Sequence, residues 1–545
     1  MMRICDQKAL GTTGRIGPWR LLLGAAALLS LAANLAAQAG QTPPVVNSDA
    51  ACAALLQLQV PGVALTVTKA AWIPAGAAAP AGPGAARSAA GLPAYCRVDG
   101  VIDRRTGAAG VSYGIGFALT LPEIWNGRFL FQGGGGLNGS VQFPLGAVAA
   151  GAEPGLARGF AVASTDTGHQ GKGAFDASFM QDQQASLDFA YAAIGRVAEV
   201  AKRIVAQHYG KPAEHSYFAG CSTGGREAML VAERYPTYFD GIVAGAPAMR
   251  TNFSGIGDRW VASTLNEIAP KDEQGRPITR NALSDSDKKA VIDGLLKACD
   301  AADGLKDGMV FNTTGCQFDP KTLVCSGAKV DGCLSLSQAA TLEKAFAGPK
   351  DSKGRQVYPG FPFDTGIIST QGIPGLLHGG ANPVGPAFSD VGMDVDGATE
   401  RARADAAAAL TETSSWTNLG TFSAHRGKLI FYHGLSDPWF SALDTVDYYE
   451  RMTKANGDSE KVRGWSRLFL SPGMSHCGGG PAALDTFDAL SAIVRWVEQD
   501  AAPESLTATG RAFPGRSRPL CAYPLHAHYK GEGDPEQAAS FECRP

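Results

Sequence analysis

A serine set between small residues is the first candidate for chemistry in this sequence. Residues 220–224 (GCSTG) match G-x-S-x-G, a sharp strand-to-helix turn that exposes a serine hydroxyl above a sheet. The letters before it, HSYFA, predict the strand, and the letters after it, GREAMLVAERY, predict the helix. A second match at residues 110–114, around Ser112, lies within an alternating strand that no helix follows. The surrounding pattern therefore favours Ser222 as the nucleophile.

A nucleophilic serine needs a base within hydrogen-bonding reach and an acidic group that orients the base. In enzymes with this turn the chain order is Ser, acid, His, and each residue follows a strand. Asp437 follows the strand KLIFYHG, and His476 follows RLFLSPGMS, so both fit that order. The alternative for His476 is a structural histidine. Among the other histidines, His169 is expected to be structural or to line a pocket.

A run of glycines follows an early strand, at residues 132–139 (QGGGGLNG). A glycine loop at this place can supply the second donor of an oxyanion hole, the first being the amide after the nucleophile. A phosphate-binding loop is the alternative, but the segment lacks both the Lys-Ser/Thr ending and the start of a helix. We therefore favour the oxyanion role.

An acidic loop, residues 299–309 (CDAADGLKDGM), has oxygen ligands suited to Ca²⁺. It is not an EF-hand, because the 12-residue pattern and its closing Glu are missing, and the alternative is a solvated acidic turn. We expect any calcium ion here to be structural. The candidate ligands are three carboxylates and two backbone carbonyls, from Asp300, Asp303, Asp307, Leu305 and Met309.

The N-terminus predicts export. Basic residues precede an apolar run at 21–35, and the small-residue triplet AQA follows at 37–39, which predicts a signal peptide over residues 1–39. A membrane anchor is the alternative, but the run of 15 residues is shorter than the roughly 20 that a helical span needs. We expect a secreted or periplasmic protein that has no membrane association after cleavage.

Removal of the leader also removes Cys5 and leaves ten cysteines, and an even number in an oxidising compartment predicts five disulfides. Cys221 precedes the candidate nucleophile, and Cys477 follows the candidate base. A bond between them would tie the two loops together; the alternative is that they pair with other cysteines.

The overall pattern predicts an α/β protein. A hydrophobic share of 45% against 18% charged residues excludes disorder, and a net charge of -3 argues against a nucleic-acid partner. Strands alternate with helices from about residue 97 to residue 250 and again from residue 426, which is typical of a parallel sheet with helical crossovers. The alternation fails over 251–425. We predict one catalytic domain built from residues 40–250 and 426–545, with an inserted lid domain between them.

Seven segments together are specific to one family: GGGGLNG, SYFAGCSTGGREAML, YFDGIVAGAPA, CDAADGLKDG, YHGLSDPWFSALDTVDYYERM, RLFLSPGMSHCGGGP and RPLCAYP. In these segments the sequence resembles the tannase and feruloyl esterase family over essentially the whole mature chain. The resemblance implies an α/β-hydrolase core with a calcium-binding lid inserted in it. It also implies hydrolysis of esters of aromatic acids.

The resemblance assigns roles to the residues above. Ser222, Asp437 and His476 would form the catalytic triad, and the amides of Gly136 and Thr223 the oxyanion hole. The acidic loop would bind calcium through the five residues named above. The implied disulfides are Cys52–Cys96, Cys221–Cys477, Cys299–Cys316, Cys325–Cys333 and Cys521–Cys543.

The substrate is expected to be a small aromatic ester, of feruloyl, galloyl or terephthaloyl type. His433 and Phe440 flank the Asp437 loop and are expected to line the acyl pocket. A second free carboxylate on the acid would need a cation, for which Arg401 and Arg403 are candidates; solvated helix charges are the alternative.

Two other kinds of function stay open: an exported esterase or peptidase of different acyl specificity, and a non-catalytic, calcium-stabilised binding protein on a hydrolase scaffold. No interface signature in the sequence indicates an oligomeric state.

Overall fold

A large sheet carries the loops singled out above. The computed structural model describes residues 49–78, 91–368 and 389–545, and Asp49–Pro545 form one compact unit. The predicted signal peptide, residues 1–39, lies outside the described residues. The strands are β1 Leu65–Ile73, β2 Tyr95–Thr106, β3 Ser112–Pro122, β4 Arg128–Gln132, β5 Ala161–Thr165, β6 His215–Cys221, β7 Gly241–Gly245, β8 Lys428–Gly434, β9 Ser466–Ser471, β10 Ser505–Thr509, β11 Ser517–Cys521, β12 His526–Tyr529 and β13 Phe541–Arg544.

Within the described ranges nine strands form one sheet, in the order β1-β2-β3-β5-β4-β6-β7-β8-β9. The first three strands pair antiparallel with one another, and β3 also pairs antiparallel with β5. From β5 through β4 to β9 every pair is parallel. Because parallel neighbours all end at the same edge of a sheet, the loops that follow β4, β6, β8 and β9 come together there.

Helices make the crossovers and cover the sheet. They are α1 Asp49–Ala54, α2 Gln183–Leu187, α3 Ala193–Tyr209, α4 Thr223–Arg234, α5 Thr251–Asn266, α6 Asp285–Cys299, α7 Leu336–Phe346, α8 Val395–Ala404, α9 Ala406–Thr411, α10 Gly420–Ala424, α11 Ala442–Ala455, α12 Ser459–Arg463 and α13 Ala489–Gln499. A π-helical turn, Asp188–Ala192, joins α2 to α3.

The central strands are buried on both faces. In β7, Ile242 and Ala244 belong to one apolar cluster, whereas Val243 belongs to the cluster on the opposite face. In β8, Phe431 and Ile430 divide between the same two clusters. Continuous apolar strands of this kind are typical of a parallel sheet covered by helices on both sides, so the predicted α/β class is confirmed.

The segment between β7 and β8 adds no strand to the sheet in its described residues. It contains α5–α10 and has an apolar cluster of its own, in which Val261, Leu265, Leu342 and Phe346 pack together. We call residues 251–425 the lid, as in the sequence prediction. None of the described helices of the chain is long and apolar enough to cross a membrane.

Five disulfides cross-link the part of the chain that the structure describes, and they are the pairs that the family resemblance implied. Two lie in the lid, one joins α1 to β2, one joins β11 to β13, and one joins the end of β6 to the loop after β9. The pairs are Cys299–Cys316, Cys325–Cys333, Cys52–Cys96, Cys521–Cys543 and Cys221–Cys477.

Two local predictions differ from the structure. The Ala-rich residues 399–410 predict one helix, but the structure interrupts it at Asp405, whose carboxylate accepts the N–H groups of Ala407 and Ala408 and begins a new helix, α9. The sequence of residues 483–499 also predicts a helix, and in the structure that helix begins only at Ala489.

Candidate active site

Ser222 occupies a strained turn between β6 and α4. Its φ of 65° and ψ of -123° lie outside the regions that a non-glycine residue prefers, as expected for an exposed nucleophile at such a turn. Close packing of the backbone explains the glycines. A Cβ on Gly220 would lie 2.3 Å from the carbonyl oxygen of Gly224, and a Cβ on Gly224 would lie 2.7 Å from that of Gly134.

Asp437 and His476 are hydrogen-bonded at the ends of β8 and β9. The distance from His476 Nδ1 to Asp437 Oδ2 is 2.7 Å, and Asp437 Oδ1 accepts the N–H groups of Trp439 and Phe440 at 2.9 and 3.2 Å. Because the carboxylate accepts at Nδ1, that nitrogen carries the proton and Nε2 is left as the base.

The Asp437 carboxylate is charged although it is fully buried. Burial by itself would raise its pKa, but the charge of His476 and the hydrogen bonds from His433 and His476 outweigh burial and hold the pKa well below its ordinary value. The group therefore stays an acceptor for His476 throughout the neutral range.

The Cys221–Cys477 disulfide joins the residue before Ser222 to the residue after His476, with 5.9 Å between its Cα atoms. In the described chain no hydrogen bond joins Ser222 to His476. Catalytic hydrogen bonds are often long in ligand-free enzymes and shorten when substrate binds. The disulfide keeps Ser222 and His476 close to each other although no hydrogen bond joins them.

The glycine loop after β4 lies against the start of α4. Gly224 N–H donates to the carbonyl oxygen of Gly134 at 3.0 Å, and the hydroxyl of Thr223 donates to the carbonyl oxygen of Gly136. Gly136 has a φ of +59°, and a Cβ there would lie 2.3 Å from the carbonyl oxygen of Ala174. Thr223 is the first residue of α4, where a helical N–H has no partner within the helix.

Glu227 was not predicted, yet it anchors the glycine loop. Its fully buried carboxylate accepts the N–H of Gly134 at 2.9 Å and the side-chain amide of Asn138 at 2.7 Å. Burial raises the pKa of Glu227, opposed by the charge of Arg226 and by these two hydrogen bonds. A glutamate on the buried face of α4 is the signal that sequence reasoning could have used.

A lid residue, Asp364, binds both loops that carry the candidate acid and base. Its carboxylate accepts the Ser436 hydroxyl at 2.6 Å and the Gly473 N–H at 2.7 Å. Tyr358 of the lid adds a contact, because its hydroxyl accepts the N–H of Ser441 at 3.0 Å. Hydrogen bonds from the lid therefore help to hold these two loops in place.

Aromatic side chains surround the candidate base. Phe440 lies 5.2 Å from the His476 ring and Trp439 lies 6.1 Å from it, between ring centroids. Phe175, which sequence analysis did not single out, stacks on Trp439 at 5.7 Å. A Cβ on Gly136 would lie 3.7 Å from the Phe175 ring, so the aromatic rim extends to the glycine loop.

The structure corrects the prediction that His433 lines the acyl pocket. Its side chain has no exposed surface and lies behind Asp437, with His433 Nε2 3.2 Å from Asp437 Oδ2. A side chain enclosed in this way presents no surface to a substrate. Arg401 and Arg403 lie exposed on α8, and Arg403 borders a cavity of about 450 Å³ that Arg250 and Arg355 also line.

The acidic loop combines buried carboxylates with ligands typical of calcium. Asp303 is 3% exposed, and burial, with the nearby charges of Asp307 and Asp300, raises its pKa to about 7, a cost that a divalent cation would offset. The partners seen are the chain's own: Asp303 accepts the N–H of Phe311 at 3.0 Å, and Asp307 pairs with Arg518. No group of three or more His, Cys, Asp or Glu side chains in the described ranges is placed to hold a metal ion.

A comparison with protein families decides the class to which this site belongs. The model described as tannase and feruloyl esterase matches residues 96–376 and 387–544. The chain belongs to the tannase and feruloyl esterase family. It is accordingly an esterase, and the family indicated by the sequence segments is confirmed.

Individual relatives agree with this assignment. The chain is 38% identical over 565 residues to the mono(2-hydroxyethyl) terephthalate hydrolase of Piscinibacter sakaiensis, covering 91% of this chain and 92% of that one. It is 32% identical to the "Probable feruloyl esterase" of Arthroderma benhamiae, covering 78% and 81%. The crystal structure of feruloyl esterase B from Aspergillus oryzae has a TM-score of 0.72 and 26% identity, covering 91% and 100%. This likeness supports the α/β-hydrolase core.

The Thr223 hydroxyl gives a first testable prediction. Thr223→Val removes the hydrogen bond to the Gly136 carbonyl, frees the glycine loop at that peptide, and should lower kcat about tenfold. Thr223→Ser keeps the hydroxyl and should stay near wild type. Steady-state kinetics on an ester substrate compares the two, and equal kcat values for both variants would show that the hydroxyl does not hold the loop.

The Cys221–Cys477 disulfide gives a second testable prediction. Replacing both cysteines by Ser should lower kcat at least about tenfold, because the serine and histidine loops are then joined only through the sheet. The matched control removes Cys325–Cys333, which lies in the lid and should leave kcat within about twofold. The kcat of each variant is calculated per folded enzyme, with the folded fraction taken from thermal unfolding curves. Equal losses of kcat in the two double variants would contradict the prediction.

Proposed function

We propose that this esterase is a secreted serine carboxylic ester hydrolase that cleaves esters of aromatic acids, of feruloyl, galloyl or terephthaloyl type. The observation that carries the proposal is the 2.7 Å bond between His476 and the buried Asp437, on a loop joined by a disulfide to the strained turn of Ser222. This combination of acid, base and nucleophile is what acyl transfer to serine requires.

In the proposed mechanism His476 Nε2 takes the proton of Ser222 as the serine oxygen attacks the ester carbonyl. The N–H groups of Gly136 and Thr223 bind the oxyanion of the tetrahedral intermediate. Collapse of the intermediate expels the alcohol, which receives the proton from His476 and leaves the acid bound to Ser222. A water molecule, deprotonated by His476, then attacks this acyl-enzyme and releases the acid.

The aromatic rim supports an aromatic ester as substrate. Phe175, Trp439 and Phe440 surround the base, and stacked or edge-on aromatic contacts favour a planar ring over an aliphatic chain. The names of the relatives, a terephthalate-ester hydrolase and a probable feruloyl esterase, agree with this substrate class. We place Phe440 among the residues that contact the substrate.

Export is proposed from two observations that are independent of each other. The N-terminal sequence has the form of a signal peptide, and the five disulfides of the described residues are typical of a protein in an oxidising compartment. The mature enzyme is then secreted or periplasmic.

Calcium is proposed as a structural ion of the lid. The oxygen ligands would be the carboxylates and carbonyls of the acidic loop, namely Asp300, Asp303, Asp307, Leu305 and Met309. The three carboxylates would have to move together around the ion, because in the described residues they are not grouped as a metal site. Support comes from the burial of Asp300 and Asp303, which raises the pKa of each. The ion would neutralise the negative charge of the acidic loop. This loop is far in sequence from Ser222, Asp437 and His476, and the ion takes no part in the reaction.

Replacing the nucleophile tests the mechanism. Ser222→Ala removes the attacking oxygen without disturbing the buried core, so hydrolysis of methyl ferulate should fall to background while the melting temperature stays near wild type. Ser112→Ala is the matched control, at the other G-x-S-x-G sequence, and should keep full activity. Turnover retained by Ser222→Ala would contradict the mechanism.

A substrate panel tests the acyl class. Methyl ferulate, methyl gallate, mono(2-hydroxyethyl) terephthalate and a peptide are ranked by kcat/KM, and the aromatic esters should exceed the peptide. A fluorophosphonate should label Ser222 stoichiometrically. A protein that reacts with neither the esters nor the fluorophosphonate would be a binding protein on a hydrolase scaffold.

Chelation tests calcium. Transfer from 1 mM Ca²⁺ to EGTA should lower the melting temperature by about 2–4 °C, because an ion bound only by the folded state stabilises it. Asp303→Asn should abolish this response, whereas Asp331→Asn, at an exposed lid position outside the loop, should preserve it. A melting temperature indifferent to EGTA in the wild type would exclude the site.

A further inference from the structure

His433 is a buried histidine that the mechanism above does not use. It lies near the end of β8, four residues before Asp437, and its imidazole is completely enclosed. A histidine in such a place must have partners for both ring nitrogens or lose the free energy of solvating them.

Both nitrogens have partners, and the partners define the tautomer. His433 Nε2 lies 3.2 Å from Asp437 Oδ2 and 3.1 Å from the carbonyl oxygen of Phe440. Because both neighbours are acceptors, Nε2 carries the proton and shares it between them. Nδ1 then accepts the hydroxyl hydrogen of Thr445 at 2.8 Å.

Asp437 Oδ2 therefore receives two imidazole N–H groups, from His476 at 2.7 Å and from His433 at 3.2 Å. The second carboxylate oxygen is occupied by the N–H groups of Trp439 and Phe440. His433 is thus the donor that competes with the candidate base for the same oxygen.

We propose that His433 is a positioning residue that restrains the Asp437 carboxylate and limits how strongly it attracts the proton of His476, with Thr445 fixing the His433 tautomer. The proposal rests on the proposed triad. An acceptor that already receives one N–H forms a weaker bond to a second, so His433 keeps His476 from holding its proton too tightly.

Other charged and titratable groups around this pair are engaged elsewhere. From the lid, Asp364 is bound by Ser436 and Gly473, and the Tyr358 hydroxyl is bound by Ser441. On α11, Asp444 beside Thr445 pairs with Arg250. The titratable groups that act on the Asp437 carboxylate are His476 and His433.

The consequence has a definite sign. Without the His433 donor, Asp437 becomes a stronger acceptor for His476 Nδ1–H and stabilises the protonated form of His476. The base is then lost to protonation at a higher pH. The acidic limb of kcat/KM against pH should therefore move upward, by about half a pH unit, and kcat should fall about tenfold with little change in KM.

The test uses the full-length mature enzyme with p-nitrophenyl acetate, with Ser222→Ala subtracted as the background. His433→Leu removes the donor in a similar volume and should show the shifted limb. His433→Gln places an amide N–H near the position of Nε2 and should restore the limb toward wild type. A limb at the wild-type pH in His433→Leu, with kcat falling only as the folded fraction falls, would overturn the proposal.

A second pair of variants decides the matter if His433→Leu does not fold. Thr445→Val keeps the shape of the side chain but removes the hydroxyl that fixes the tautomer, and should shift the limb in the same direction by a smaller amount. Thr445→Ser keeps the hydroxyl and should match wild type. Identical pH profiles for the two Thr445 variants would overturn the proposal.

The outcomes separate this proposal from the proposed triad. If Ser222→Ala retains turnover, the triad fails and the pH limb no longer reports on His476. If Ser222→Ala is inactive while the His433 and Thr445 variants keep the wild-type limb, the triad stands and only the role of His433 is wrong.

Discussion

The buried charge of Asp437 is the constraint on which the rest of the site depends. An isolated carboxylate in a protein interior is costly, and it stays ionised only when opposite charge and hydrogen-bond donors surround it. Here two histidines and two backbone N–H groups converge on it. These donors come from β8, the turn that follows it and the loop after β9, so the carboxylate has its environment only when the sheet is assembled with β8 and β9 in register.

Asp437 orients His476, and other contacts hold the His476 loop, the Ser222 turn and the glycine loop in place. A disulfide fixes the His476 loop to the Ser222 turn, and Glu227 with Thr223 fixes the glycine loop to α4. From the lid, Asp364 bridges the loops that carry Asp437 and His476. The lid thus supports the arrangement of these two loops.

The sequence predicts the features that depend on short, local motifs. The turn at Ser222, the order of Asp437 and His476 along the chain, and the strands that precede them are all local patterns, and the strands were found where predicted. It missed contacts that depend on the assembled fold. Nothing in the sequence around Phe175 indicates that its ring stacks on Trp439. The position of His433 at the end of a strand also does not show whether its side chain faces a pocket or lies behind Asp437.

The central claim is that Ser222 carries the acyl group during turnover, and trapping that intermediate tests it most directly. Acid quench of the enzyme with p-nitrophenyl acetate, followed by intact mass and peptide mapping, should find one acetyl group on the peptide that contains Ser222. The adduct should be absent from Ser222→Ala. An adduct on another residue, or turnover without any adduct under conditions where deacylation is slowed, would contradict the account.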